Sequence, residues 1–129
     1  MTNPTDNLEA AIVAAGATKA PRINPDDIKG NIVSEHYFTA SQALVGETRG
    51  PEWQATPKEL DLLTFCVLVL ANGFTVTGES ACASPENFNA DIGRKIARQN
   101  AVAKIWPLMG YELRQRLHEA ALRDDAIKN

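Results

Sequence analysis

The residue types in this sequence that are best suited to binding chemistry are hydroxyl, amide and guanidinium groups between positions 80 and 98. Ser84 and Pro85 form a pair typical of a helix start, and Ser80 and Asn87 lie on either side of it. Free backbone N–H groups and the helix dipole attract anions to such a start. Arg94 and Arg98 follow one helical turn apart, and a guanidinium forms bidentate hydrogen bonds with phosphate. We therefore predict a binding site for a phosphorylated ligand, with the arginines contributed by a neighbouring copy. The alternative interpretation is an ordinary helix cap beside a solvated, ion-paired helix face.

Two glycines, Gly73 and Gly78, have the spacing of a phosphate-binding loop, but the rest of that motif is missing. Glu79 and Ser80 stand where the motif requires Lys followed by Ser or Thr, and a carboxylate at that position repels phosphate. The expected order of elements is also reversed, since the run leaves a helix and enters a strand. We therefore reject a nucleotide triphosphatase, and interpret Gly73 as a helix C-cap and Gly78 as a bulge or turn.

No combination of residues predicts catalysis or metal binding. His36 and His118 are isolated from any Ser, Cys or second His at the spacing of a triad or a metal site. Cys66 lies in the most apolar segment and is interpreted as a core residue, whereas Cys82 is the better candidate for a reactive thiol. We predict no catalytic residue, no metal ligand and no cofactor. An enzyme with a composite site would need a polar cleft that the sequence does not indicate.

Three apolar residues suggest a second kind of site, a surface that binds another protein. Trp53 lies in a polar loop, where an aromatic side chain either covers the core or anchors a partner. Met109 and Leu113 belong to an amphipathic segment near the C-terminus. Together they would form the contact surface of a protein–protein inhibitor.

The composition is that of an ordinary protein of one domain, with 129 residues, 44% of them hydrophobic, and a formal net charge of −3. Residues 1–93 carry 12 acids and 5 bases, and residues 94–129 carry 8 bases and 4 acids, so the C-terminal part is basic. The acidic balance argues against general binding to DNA. No apolar run reaches the ~18 residues of a membrane helix, and no signal peptide is recognisable. We therefore expect a cytoplasmic protein without a membrane partner.

Caps, prolines and hydrophobic patterns predict a mainly α fold with a small β element, which is the α+β class. Asn24–Asp27 resembles a helix cap and predicts a helix to Tyr37, and Thr39 predicts a second, short helix. The apolar run at 62–70 fits a buried helix or a buried strand, and the capping box Thr56–Glu59 favours the helix. The predicted single domain covers residues 23–123, with a buried central helix at about 57–71, a strand or hairpin at about 74–82, a long helix at about 85–106 and a C-terminal helix at about 107–123. Residues 1–22 and 124–129 are predicted to be a flexible arm and a flexible tail.

The predicted long helix has two apolar stripes, so we expect it to be packed on both sides. Trp106 lies on the stripe that we interpret as core, and Pro107 is expected to break or restart the helix. The members of the first stripe are Phe88, Ile92, Ile96, Ala103 and Trp106, and those of the second are Ala97, Ala101 and Ile105.

Much of the chain resembles one family of small proteins. The residues that carry the resemblance are the runs from Leu60 to Leu70 and from Asn72 to Cys82, then Pro85, Asn87, Phe88, the segment from Asp91 to Gly93, the segment from Lys104 to Leu108, and the pair Gly110 and Tyr111. The family occurs in tailed phages and prophages and is named after an N4-type coliphage gene product and a Shigella phage gene product. The resemblance covers roughly residues 23–117, and Met109 stands where the family pattern has Glu. It implies a phage origin and a place of action in the host cytoplasm, and it provides no catalytic residues.

The anion-binding residues and the phage resemblance together predict a non-enzymatic accessory protein that binds a component of the host. We predict that it forms a homo-oligomer and sequesters a phosphorylated signal, such as a cyclic nucleotide, as a counter-defence protein. The alternative is an inhibitor that binds a host enzyme or defence factor through Trp53, Met109 and Leu113.

Overall fold

The computed structural model describes residues 4–47 and 56–128. Within these residues, helices accompany a three-stranded antiparallel sheet, which confirms the predicted α+β class. The helices are α1 (Pro4–Ala14), α2 (Pro25–Asn31), α3 (Ala40–Glu47) and α4 (Ala90–Lys128), and the strands are β1 (Ile32–Thr39), β2 (Leu63–Leu70) and β3 (Thr75–Ala81). Short 3₁₀ helices at Lys58–Leu62 and Pro85–Asn87 precede β2 and α4. The described residues form two compact units, residues 4–31 with 105–128 and residues 32–47 with 56–104. The predicted domain limits at 23 and 123 stay predictions.

The first unit contains one ion pair and one reciprocal pair of hydrogen bonds near its N-terminal helices. Arg22 forms an ion pair with Glu9 of α1, and the hydrogen bond from the guanidinium lowers the pKa of the Glu9 carboxyl below its usual value. The amide N of Asp27 donates to Oδ1 of Asn24 at 2.8 Å, and the amide N of Asn24 donates to Oδ2 of Asp27 at 2.9 Å. The predicted cap at Asn24 is therefore confirmed, and α2 begins directly after it.

We expect Asn24→Ala to lower the free energy of unfolding by about 1 kcal/mol, because the amide of Asp27 loses its acceptor. Asn24→Asp keeps an acceptor oxygen and serves as the control, with a loss of a few tenths of a kcal/mol at most. Urea unfolding followed by circular dichroism measures both variants. Equal losses for the two variants would show that the cap hydrogen bond does not stabilise α2.

The predicted buried helix at about 57–71 is wrong, because the second unit has the strand β2 at its centre. Burial alternates along β2, with Thr64, Cys66, Leu68 and Leu70 buried and the residues between them half-buried. A central strand contacts neighbours on both faces and on both edges, so it is apolar throughout, as a buried helix would be. Thr56 makes no cap; its hydroxyl donates to Oγ of Ser41 at 3.2 Å.

The helix predicted to run from Asn24 to Tyr37 is wrong beyond Asn31, where β1 begins. The residues of β1 include β-branched and aromatic side chains, and they pair antiparallel with β2, Tyr37 opposite Cys66 and Thr39 opposite Thr64. The short helix predicted after Thr39 is confirmed as α3. Thr39 and Gln42 form a capping box, in which each side chain accepts a hydrogen bond from the backbone N–H of the other, at 3.2 and 2.9 Å.

The strand predicted at about 74–82 is confirmed as β3, which forms a hairpin with β2. Gly73 has a φ of 90° in the hairpin turn, so the interpretation as a helix C-cap is wrong. Gly78 is neither a bulge nor a turn, because it pairs in regular register with Cys66. A Cβ at position 78 would overlap the carbonyl oxygen of Ala97 and the amide N of Ala101. Glycine is required here because the backbone of α4 passes directly against the strand.

The two helices predicted at about 85–106 and 107–123 are one helix, α4, and it starts later than predicted. Pro85–Asn87 forms only one 3₁₀ turn, and α4 is capped by Asn89, whose Oδ1 accepts a hydrogen bond from the amide of Ile92 at 3.1 Å. Pro107 lies inside the helix without ending it. A helix interior tolerates proline where packing compensates for the lost hydrogen bond.

The two apolar stripes of α4 differ in burial, so the expectation of packing on both sides is wrong for its first half. The members of one stripe, Ala97, Ala101 and Ile105, are fully buried. Ile92 and Ile96 of the other stripe are exposed. The small side chains of the buried stripe are those that allow the close contact with Gly78.

Candidate functional site

The five predicted ligand-binding residues lie in three places of the second unit: in β3, at the 3₁₀ turn before α4, and on α4 itself. Ser80 lies in β3, half-buried and opposite Thr64 of β2. Ser84 precedes the 3₁₀ turn without making a side-chain cap, and Asn87 is exposed at the end of that turn. The predicted helix start at Pro85 is therefore wrong, because Pro85–Asn87 is a turn of three residues and α4 begins at Ala90, and anion binding by Ser80, Ser84 and Asn87 stays a prediction.

The two arginines are held by acidic residues of the same chain. Arg94 forms an exposed ion pair with Asp91, one turn earlier on α4. Nε of Arg98 donates to Oε1 of Glu35 on β1 at 2.8 Å, and this pair joins helix to sheet. Arg94 also lines a cavity formed by described residues.

This cavity has a volume of about 360 Å³ and lies in the second unit. Its volume is in the lower part of the range of about 300–1,000 Å³ observed for ligand sites. The lining combines three aromatic rings, three hydroxyl or amide side chains, one small residue and one cation: Tyr37, Phe38, Phe88, Thr39, Gln42, Thr64, Ala90 and Arg94. We call it the Arg94 cavity.

The walls of the Arg94 cavity come from four elements of the second unit, β1, α3, β2 and α4, together with Phe88, which precedes α4. The antiparallel register places Thr39 of β1 beside Thr64 of β2, and the capping box fixes Gln42 at the start of α3. Gly93 brings α4 close to the sheet, since a Cβ there would be 3.1 Å from Oγ1 of Thr64. The ring of Phe38 stacks on Phe65 with centroids 5.5 Å apart. The cavity is therefore built on strands and helix ends that hydrogen bonds hold in place.

Tyr37 supplies a hydroxyl that stays protonated at the cavity wall. Its OH donates to Oε2 of Glu35 at 3.2 Å, and Glu35 in turn accepts from Arg98. Burial, with smaller contributions from Cys66 and Glu35, raises the pKa of Tyr37 to about 12. Burial likewise raises the pKa of the Cys66 thiol. Both groups are therefore neutral near pH 7 and add no negative charge that would repel an anion.

The remaining sequence candidates lie outside the Arg94 cavity. Nε2 of His36 is 3.1 Å from Oγ of Ser34, an exposed contact that the sequence interpretation missed, and His118 is exposed on α4. Cys66 is buried as predicted, and Sγ of Cys82 donates to the carbonyl of Ser84 at 3.2 Å. Among residues 4–47 and 56–128, no group of three or more His, Cys, Asp or Glu side chains is placed to hold a metal ion.

The predicted partner-binding residues do not form an exposed surface in the described part of the chain. Trp53 lies outside the described residues, so its prediction remains open. Met109 and Leu113 are half-buried in the first unit. The exposed apolar side chains of α4 are instead Ile92, Ile96, Leu108, Tyr111, Leu117, Leu122 and Ile127.

Sequence reasoning found Arg94 but missed the other polar walls of the cavity, Tyr37, Thr39, Gln42 and Thr64. Tyr37 was assigned to a helix, and Thr64 to a buried helix, so neither was expected beside α4. The β-branched and aromatic residues of positions 32–39 were the available signal for a strand.

Comparison with known proteins gives one finding about the origin of the chain. Residues 23–117 match the family described as phage protein (N4 Gp49/phage Sf6 gene 66). No curated protein and no solved structure gives a significant match. In the part of the chain that the structure describes, none of the helices has the length and apolar character needed to cross a bilayer. Because the matched region covers most of the chain, the protein belongs to the phage protein family named after N4 Gp49 and phage Sf6 gene 66.

Proposed function

We propose that this phage protein is a non-enzymatic binding protein that takes a phosphorylated ligand of mononucleotide size in the Arg94 cavity. The observation that carries this proposal is the composition of the cavity wall, where a guanidinium stands beside aromatic rings and neutral hydrogen-bonding groups. A small ligand site is typically a mainly apolar cavity with a few polar groups that fix orientation. A nucleotide offers the matching chemistry of a ring, hydroxyls and a phosphate.

The Arg94 guanidinium is available to a phosphate at low cost. Its ion pair with Asp91 is formed by side chains that are 44% and 76% exposed, and pairs of this kind contribute about 0–1 kcal/mol. A phosphate that contacts a guanidinium through two charged oxygens forms a stronger interaction than this exposed pair with a carboxylate. The ligand therefore displaces Asp91, which turns to solvent.

The neutral groups of the cavity suit the rest of a nucleotide. Tyr37 and Phe88 offer rings for stacking, and Thr39, Thr64 and Gln42 offer hydroxyl and amide groups to a sugar or base. The raised pKa of Tyr37 keeps its hydroxyl neutral throughout the physiological range, and because its hydrogen is donated to Glu35, the oxygen can accept a hydrogen bond from the ligand.

In the host cytoplasm, a phage would benefit from a protein that binds and sequesters a nucleotide signal. Sequestering a nucleotide signal lowers its free concentration in proportion to the number of sites and requires no chemical step. Counter-defence by sequestration is therefore the role that we propose.

We expect Arg94→Gln to weaken mononucleotide binding by at least about tenfold, because one charge-assisted contact is worth about 1.5–3 kcal/mol. Isothermal titration with cyclic AMP, AMP and GMP measures the affinity, with adenosine and inorganic phosphate as separate probes of ring and charge. Lys95→Gln is the matched control, since it removes the same charge from the adjacent residue, which does not line the cavity. If no mononucleotide binds at millimolar concentration, or if Lys95→Gln weakens binding as much, the proposal is overturned.

The second candidate function is a protein–protein inhibitor, favoured by the exposed apolar side chains Leu108, Tyr111 and Leu122 on α4. Native mass spectrometry of protein isolated from infected cells separates the two candidates. A retained molecule of nucleotide mass supports the first, and a stoichiometric host protein supports the second.

A further inference from the structure

The end of α4, residues 110–128, is a helix that lacks a covering layer among the described residues. All of its side chains except Leu113 and Ala120 are exposed, and Ile127 is 84% exposed. Most helices in proteins are stabilised by packing of an apolar face rather than by intrinsic helix propensity. The segment therefore has the properties of a helix that gains stability from a partner.

An apolar stripe runs along one side of this segment. Leu113, Leu117, Ala120 and Ile127 are spaced by three, four or seven residues and lie within about 40° of one line on the helix surface. Met109 continues the stripe towards the N-terminus, and one polar residue, Asp124, interrupts it. This spacing is typical of helices that pack along one another.

A row of alternating charges follows one edge of the apolar stripe. In chain order the row is Glu112, Arg116, Glu119 and Arg123. Nε of Arg116 donates to Oε1 of Glu112 at 2.6 Å within the helix. From the C-terminal end the row has the order Arg, Glu, Arg, Glu, which is the opposite charge at each place. Two copies of the row that lie antiparallel therefore bring opposite charges together at every position.

We propose that this face of α4 pairs antiparallel with the same face of a second copy. Around a two-fold axis between positions 117 and 118, the charged edges of the two helices meet, which brings Glu112 opposite Arg123 and Arg116 opposite Glu119. In the same register Leu113 lies level with position 122, between the small side chain of Ala120 and the carboxylate of Asp124, and the two copies of Leu117 meet at the axis. A parallel pair would instead place the charged edge against the other edge, which contains Gly110, Arg114 and Ala121. The second copy is therefore the occupant that the charges select, and this pairing does not depend on the proposed ligand.

The first test compares two leucines on opposite sides of the same helix. Leu117→Asp places a charge at the proposed axis, whereas Leu122→Asp places it on the far side of α4. Light scattering after size exclusion measures the mass, and circular dichroism checks that both variants are folded. We expect a dimer for the unmodified protein and for Leu122→Asp, and a monomer for Leu117→Asp. A monomeric unmodified protein, or equal behaviour of the two variants, overturns the proposal.

The second test uses the charges and avoids loss of apolar contacts. The variant with Glu112→Arg, Arg116→Glu, Glu119→Arg and Arg123→Glu keeps every charge pair of the row, within one helix and between two copies, and loses only the hydrogen bond from Gln115 to Glu119, so it should dimerise. Mixed with isotopically labelled unmodified protein, it should form far fewer mixed dimers than the statistical half, because like charges then meet. A statistical proportion of mixed dimers in native mass spectrometry, or failure of the variant to dimerise, would contradict the antiparallel register.

Discussion

Gly78→Ala is expected to cost at least about 3 kcal/mol of folding free energy, more than the about 1–3 kcal/mol of ordinary overpacking. The added methyl would overlap backbone atoms of Ala97 and Ala101 and would lie 2.9 Å from the carbonyl carbon of Asn100. Backbone atoms of a helix cannot rotate away as a side chain does, so α4 as a whole would have to move off the sheet. Urea unfolding measured by circular dichroism gives the change in free energy.

Gly110→Ala is the matched control for this substitution. Gly110 also lies in a regular element, α4, but a Cβ there meets nothing within 4 Å. Alanine in a helix is favoured over glycine by about 1 kcal/mol, so this variant should be slightly more stable than the unmodified protein. If Gly78→Ala is as stable as Gly110→Ala, the helix does not cross the sheet at position 78.

Leu68→Ala is expected to lower the free energy of unfolding by about 2–5 kcal/mol, because it opens a cavity at a fully buried site on the central strand. The same measurement on the neighbours of Leu68 tests the strand itself. Val67 and Val69 are half-buried on the opposite face of β2, so their alanine variants should lose clearly less.

An alternating cost along positions 67–69 is the signature of a strand with unequally buried faces. Similar costs at all three positions would instead fit the buried helix that the sequence favoured. The comparison therefore checks the feature on which the fold differs most from the sequence-based expectation.

Local signals in the sequence predicted those elements whose ends are determined by neighbouring residues. The caps at Asn24 and Thr39 and the hairpin strand after Gly73 were found because short-range hydrogen bonds and a turn specify them. β1 and β2 were mistaken for helices because each owes its conformation to pairing with a strand about 30 residues away. The apolar run of β2 shows no alternation of residue type that would distinguish a strand with one buried and one half-buried face from a helix.

The candidate site was predictable only in part, for the same reason. Arg94 was recognised from its chemistry, and its side chain does line the cavity. Tyr37 and Thr64 reach the cavity through the register of β1 against β2, which no local pattern encodes. Arg98 was expected beside Arg94 but bonds to Glu35, a contact between residues 63 positions apart.

The contact between Asp91 and Arg94 has a consequence for selectivity. A carboxylate attached to the same helix acts as an intramolecular competitor, present at a high effective concentration whatever the surroundings contain. Chloride, or a single group resembling acetate, makes no further contacts and so has no advantage in binding free energy over the carboxylate of Asp91. For the proposed phosphorylated ligand, this acid sets a small threshold of about 0–1 kcal/mol, which the charge of the phosphate together with its further contacts in the cavity must exceed.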